Sequence, residues 1–200
     1  MSVISPIVRQ GAILSLDPNT GAMLGKIVLQ YNPDTLTRSL KPQSVGDQPD
    51  RTEILRLKGP AIETIKAEVE IDATDQLDAS DPVAMSLGIA PQLSALELLV
   101  YPTSATLIHN EQLSESGTLE ILPMDSALTM FAWNVHRITP VRITDLEITE
   151  EAFDPQLNPI RAKVSLGMRV LNVNDVAFVS PAGGLYMAYQ IVKEAMAQQA

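Results

Sequence analysis

The chain has 200 residues, no cysteine and a formal net charge of −10. That length suits one domain with a sizeable core. The acidic balance leaves no basic patch for phosphate, which argues against nucleic acid and anionic membranes as ligands, and there is no thiol for a disulfide framework.

Hydrophobic residues make up 46% and aromatics 4%, so an aliphatic core is expected. The N-terminal stretch MSVISPIVRQGAILSL lacks a charged n-region and a long apolar centre. No apolar run approaches the ~18 residues of a membrane span. The expectation is a protein made in the cytoplasm without a signal peptide and without direct membrane insertion.

In chain order, Gly11–Leu16 and Leu24–Tyr31 read as strands around the turn signal Asp17-Pro18-Asn19-Thr20-Gly21. Asn32-Pro33-Asp34 breaks the second, and Leu36–Leu40 resumes it. Lys41–Arg51 is polar and reads as an exposed loop. Thr52–Lys58 is a short strand that Gly59-Pro60 should end. In Ile62–Ile71, Ile65, Ala67, Val69 and Ile71 alternate with Lys66, Glu68 and Glu70, a half-buried strand.

Asp72–Asp81 reads as a loop, with Asp81 as N-cap and Pro82 at the first helical position. A short turn runs to Leu87, where Gly88 interrupts. Pro91 restarts a central helix as far as Tyr101, with Leu93, Leu96 and Val100 on one stripe beside Leu99, and Pro102 stops it. Thr103–Gly117 reads as a loop. Leu119–Leu122 and Ser126–Trp133 are strands around Pro123.

The strongest signals come next. Val141 and Ile143 have one parity, Leu146 and Ile148 the other, so a strand over Val141–Thr149 needs a β-bulge near Thr144–Asp145. Glu150–Pro159 is a projecting turn. Ile160, Ala162, Val164, Leu166, Met168 and Val170 then alternate strictly with Arg161, Lys163, Ser165, Gly167 and Arg169, which puts all six apolar side chains on one face. The two strands are predicted to pair antiparallel. Asn172–Pro181 reads as linker. Gly184–Gln199 is a helix with Leu185, Tyr189, Val192 and Met196 at helical spacing.

Nothing here spells out catalysis. Asp72, Asp75, Asp78 and Asp81 recur every third residue, not in the alternate pattern of a calcium loop. His109 and His136 are the only histidines and form no metal pair. Glu147, Glu150, Glu151 and Asp154 read as a solvated acidic face. No nucleophile elbow, phosphate loop or dinucleotide motif occurs. A non-catalytic protein without metal or cofactor is expected. A β-rich α+β domain follows, of packed antiparallel sheets with one flanking central helix and a short C-terminal helix. A sheet edge in such a domain can support ordered self-association.

Several marks resemble one family in order and spacing. Tyr31-Asn32-Pro33 ends an early strand; Ile71-Asp72-Ala73-Thr74 precedes a proline-initiated helix ending at Tyr101-Pro102. Trp133 closes a strand, and Phe153 precedes Asn158-Pro159-Ile160-Arg161-Ala162-Lys163-Val164. Together they are similar to the tube domain of contractile injection systems, the phage-tail-like particles. Two positions depart from it: Asn134 and Asn158 stand where the family has glycine, and asparagine also tolerates the left-handed conformation. A peptidoglycan-binding module that some relatives carry is not implied for these residues.

The resemblance implies a tail-tube fold (barrel or sandwich) over residues 1–171, a linker over 172–183 and a C-terminal helix over 184–200. It implies a structural subunit of a homo-hexameric ring, in the inner tube or at the tube–baseplate–spike junction, with tube, spike and baseplate proteins as partners. In that setting Arg161, Lys163, Arg169, Glu147, Arg142 and Phe153 would form the assembly interface, facing the lumen or a neighbour. The alternative is a non-catalytic β-sandwich module binding glycan or peptide.

Overall fold

The computed structural model describes residues 10–44, 56–115 and 127–200. The strand expected at Leu119–Leu122, and most of the expected strand Thr52–Lys58 and loop Lys41–Arg51, lie outside the described residues. The strands are β1 (Ala12–Leu16), β2 (Met23–Val28), β3 (Leu36–Ser44), β4 (Leu57–Asp72), β5 (Leu128–Asn134), β6 (Arg137–Phe153) and β7 (Pro159–Val170). The helices are α1 (Thr74–Asp78), α2 (Pro82–Leu87), α3 (Ala90–Glu97), α4 (Ser104–Glu115) and α5 (Pro181–Ala197).

All seven strands form one antiparallel sheet in the order β2-β1-β5-β6-β7-β4-β3. The fold is α+β and β-rich. The sheet is not closed: β2 and β3 are its two edges. It does curl. Gln30, just past β2, donates to the Asp72 carbonyl at 2.6 Å and accepts from the Asp72 N–H at 3.0 Å, at the far end of β4. One side-chain amide thus stands in for a strand partner and ties two parts of the sheet that share no ladder.

The predicted pair β6–β7 is antiparallel, and the parity slip is a bulge. Ile143 faces Met168 and Asp145 faces Gly167, so Thr144 and Asp145 oppose one residue. The extra residue keeps Val141, Ile143, Leu146 and Ile148 all opposite the buried row of β7. That row, Ala162, Val164, Leu166, Met168 and Val170, is at most 2% exposed. It forms the main core with Ile65, Val69 and Phe131, covered by Ile89, Leu93 and Leu96 of the α2–α3 segment and by Tyr186 of α5. A second cluster joins Leu16, Leu128 and Met130 to Ala182.

Several expectations are corrected. Gly59-Pro60 does not end a strand; β4 runs through it. Between Lys41↔Ile62 and Gln43↔Gly59 the register slips, and this irregularity absorbs Pro42 and Pro60, which cannot both donate to a regular ladder. The described part of the expected loop Thr103–Gly117 is helical, α4 over Ser104–Glu115. Thr103 starts it, its hydroxyl accepting from the Thr106 N–H at 3.2 Å. Asp72–Asp81 contains α1, so among the described residues the central helix is one of four between β4 and β5. That helix is shorter than expected: α3 ends at Glu97, and Val100 beyond it is 46% exposed.

The last helix starts three residues early. Ser180 caps it by accepting from the Gly183 N–H at 3.2 Å, and Gly183 packs so close to the preceding turn that a Cβ would lie 2.5 Å from the Ala177 carbonyl oxygen. The buried residues of α5 are Ala182, Gly183, Tyr186 and Tyr189, and the expected stripe residue Met196 is exposed. Asp81 does cap α2, accepting from the Val83 and Ala84 N–H groups at 3.0 and 2.9 Å.

Candidate functional site

The face of β4–β7–β6 opposite the core is built by alternation and pairing alone. Reading across β4, β7 and β6, the rows are Asp72–Arg161–Ala152, Glu70–Lys163–Thr149, Glu68–Ser165–Glu147, Lys66–Gly167–Asp145 and Thr64–Arg169–Arg142. Five of the six expected interface residues therefore share one surface. Phe153 stands apart at the end of β6, past a second irregularity, and is 49% exposed.

Three of the five are already engaged within the chain. Arg161 Nε donates to Asp72 Oδ2 at 2.7 Å and lies 3.8 Å from Glu70 Oε1. Lys163 Nζ is 2.8 Å from Glu151, and Arg169 is 2.6 Å from Asp175. Arg142 and Glu147 are exposed and have no ion-pair partner among the described residues. The surface thus carries charges without an ion-pair partner among the described residues. Glu68 and Glu147 flank Ser165; Arg142 sits directly across from Arg169, whose own charge is met by Asp175. Like charges opposite each other on a ladder are unfavourable without a counter-charge.

The first row is the anchor of this face. The Thr74 hydroxyl and N–H, with Arg161, hold the Asp72 carboxyl below its ordinary value, against the opposing effect of burial. Arg161 is pushed up chiefly by its bond to Asp72, and Lys163 by its bond to Glu151. Position 161 is therefore a joint between β4 and β7 as much as a surface charge.

The β6–β7 turn is held by Asp154. Its carboxylate accepts from the Gln156 N–H, the Asn158 N–H and the Asn158 Nδ2, each at 2.8 Å. These bonds, the Asn158 side chain first, hold it below the usual carboxylate range. The left-handed residue here is Leu157, φ 68°, not Asn158. At the base of the hairpin the Ile89 N–H donates to the Pro159 carbonyl at 2.8 Å, which seats it on the α2–α3 junction.

The sheet edges differ in character. On β2, Met23 and Leu24 are 62% and 63% exposed. On β3 the flank is polar, with Arg38 drawn to Glu63 at 2.6 Å. Among the described residues no group of three or more His, Cys, Asp or Glu is placed to hold a metal. His109 and His136 are both exposed. Asp72 and Asp81 of the acidic quartet serve Arg161 and a helix cap. No described helix is long and apolar enough to cross a membrane.

Sequence reasoning named the β7 side of this surface and missed the β4 side. Lys66, Glu68 and Glu70 were visible as the polar phase of their strand, but nothing in the sequence says that β4 lies beside β7. No family model and no curated protein matches the chain.

Proposed function

We propose that the chain is a structural, non-catalytic subunit of a contractile injection particle. It forms a homo-hexameric ring in the inner tube or at the tube–baseplate–spike junction. The observation that carries this reading is the curled, open seven-stranded sheet, whose edges β2 and β3 have no further strand beside them among the described residues. One edge, β2, also exposes Met23 and Leu24. An exposed apolar edge is a liability for a lone subunit and an asset for one that pairs with copies of itself. A heterologous contact of that kind closes into a ring when its rotation permits.

The marks behind the family resemblance support the same reading, because several are joints of this sheet. The Asn32 side chain accepts from the Gly11 N–H at 2.8 Å and pins the start of β1 to the end of β2. Trp133 stacks on Phe131, ring centroids 6.0 Å apart. Arg161 ties β7 to β4 through Asp72. In the ring, Glu68 with Glu147, and Arg142, meet opposite charges of a neighbour or of the next layer. The tail-tube barrel would then be completed by strands of adjoining copies.

Electron microscopy of the purified protein, alone and mixed with tube and spike proteins of the same particle, tests the proposal. Six-fold rings are expected. A chain that stays monomeric in every mixture contradicts it, and glycan or peptide capture by that monomer would favour the binding-module reading instead.

A further inference from the structure

The tip of the β6–β7 hairpin shows two apolar side chains to water, Phe153 at 49% and Leu157 at 78% exposure. Leu157 is held at φ 68°, in the left-handed region that a leucine rarely adopts. The turn is fixed, not slack. The Leu157 N–H donates to the Asp154 carbonyl at 3.0 Å and the Asp154 N–H to the Asn158 carbonyl at 2.9 Å, while the Asp154 carboxylate ties in Gln156 and Asn158. Backbone strain kept in place to present an apolar side chain to solvent points to a contact site.

A surface that fits this tip lies at the other end of the sheet. β4 runs for roughly 50 Å, from Leu57, paired with Ser44 of β3, to Asp72, paired with Arg161 next to the tip. At the Leu57 end, Leu40 and Leu57 are 51% and 67% exposed. They stand at the mouth of a hollow of about 420 Å³, walled also by Pro60, Val173 and Met187. The two ends are opposite in charge. Residues 143–160 carry five carboxylates and no cation. Residues 36–63, with Lys193 beside the hollow, carry six cations against four carboxylates, in a chain whose total is −10. Tip and hollow sit at opposite ends of one sheet, so they meet only between copies.

We propose that the β6–β7 tip of one copy docks on the paired ends of β3 and β4 of a second copy, with Phe153 and Leu157 against Leu40 and Leu57 at the hollow. Glu150 of the tip and the cations Lys41 and Lys58 make the charged rim of the contact. It is a heterologous contact, which leaves a tip and a hollow open at the ends of any row of copies, so the row can extend. The contact joins copies along the strands. The ring of the proposed function joins them across sheet edges, and each stands without the other.

The chain has no cysteine, so disulfide trapping in the full chain tests the contact. Gln156 and Ser44 are exposed and flank the two surfaces. An equimolar mixture of the Gln156→Cys and Ser44→Cys proteins, mildly oxidised, should give a cross-linked dimer holding one of each. It should form at least about tenfold faster than with Asn19→Cys, in an exposed turn elsewhere, in place of Ser44→Cys, because docking raises the effective concentration of the paired thiols. Asparagine tolerates the left-handed region. Leu157→Asn added to the Gln156→Cys protein should therefore hold or raise the melting temperature while trapping falls to the control rate. Lys58→Glu, a charge reversal at an exposed site of the Ser44→Cys protein, should slow trapping as well. Trapping no faster than the Asn19→Cys control, or trapping unchanged by Leu157→Asn and Lys58→Glu, overturns the proposal. The readout is a pair of copies, so an absence of six-fold rings would count against the proposed function and leave this contact standing.

Discussion

Replacing Gly167 with alanine probes the bulge on which the two-sided sheet depends. Gly167 is buried, and its φ lies outside the left-handed region, so alanine suits its backbone. On those grounds alone the change should stabilise by about 0.4–1 kcal/mol, by restricting the unfolded chain. The bulge reverses the sign. A Cβ at 167 would lie 2.9 Å from the Asp145 Cβ and 3.3 Å from the Thr144 Oγ1, atoms held close to the backbone. Overpacking of this kind costs about 1–3 kcal/mol. The net loss is about 0.5–2 kcal/mol, or a melting temperature lower by roughly 1–8 °C for a chain of this size. Thermal unfolding of the dispersed subunit reads it directly, with Ser165→Ala on the open face as a control that should move stability by less than about 0.5 kcal/mol. A rise in melting temperature for Gly167→Ala would refute the bulge and, with it, the assignment of faces on β6.

Val164 is 0% exposed, so Val164→Asp should unfold or insolubilise the subunit: lost burial is worth about 1.5–3 kcal/mol, and an unpaired buried charge adds to it. A soluble, cooperatively melting Val164→Asp protein would contradict the core. Asp72 titrates below its ordinary 3.8 in the folded chain. A depressed carboxyl stabilises above its unfolded pKa and loses that effect as pH falls through the folded one. The gap in melting temperature between wild type and Asp72→Asn should therefore be full at pH 7 and close below about pH 3.8; a gap independent of pH would sink the Asp72–Arg161 joint. Gly88, at φ 57° with a would-be Cβ 2.0 Å from the Pro159 carbonyl oxygen, should not accept alanine. A wild-type melting curve for Gly88→Ala would contradict the seating of the β6–β7 hairpin on the α2–α3 junction.

What the sequence made legible follows from local rules. Strict alternation over Ile160–Val170 could mean only a one-sided strand, and the parity change between Ile143 and Leu146 could be reconciled with one buried face only by an extra residue. Asp81-Pro82 announced a helix start because the carboxylate satisfies backbone donors that the helix leaves free. Other features depended on distant partners. Gly59-Pro60 breaks a regular strand, but Pro42 across the ladder shares the irregularity, and no local rule couples those positions. The α4 segment looked like loop because polar and charged residues outnumber its apolar ones; the signal that could have found it was Pro102-Thr103 as a stop followed by a cap. The buried face of α5 was misplaced because Gly183, a poor helix residue, is there for close packing.

The assembly surface was half legible for a similar reason. Alternation assigned Arg161, Lys163 and Arg169 to the open side, but could not show that Asp72, Glu151 and Asp175 already occupy them. The residues left to meet a partner are Glu147 and Arg142, with Glu68 on β4. Charges tied up in the chain are poor probes of assembly, because changing them also loosens the joint they make. Glu147 and Arg142 are exposed and make no ion pair among the described residues, so substitutions there should leave folding almost untouched.

Sedimentation velocity on the wild type and on the Glu147→Lys/Arg142→Glu double variant, at matched concentration and with tube and spike partners present, tests the central claim most directly. The account predicts a hexamer for the wild type, and for the variant a folded monomer with the wild-type melting temperature of the dispersed subunit. A wild type that sediments as a monomer throughout, or a variant that assembles as well as the wild type, would contradict it.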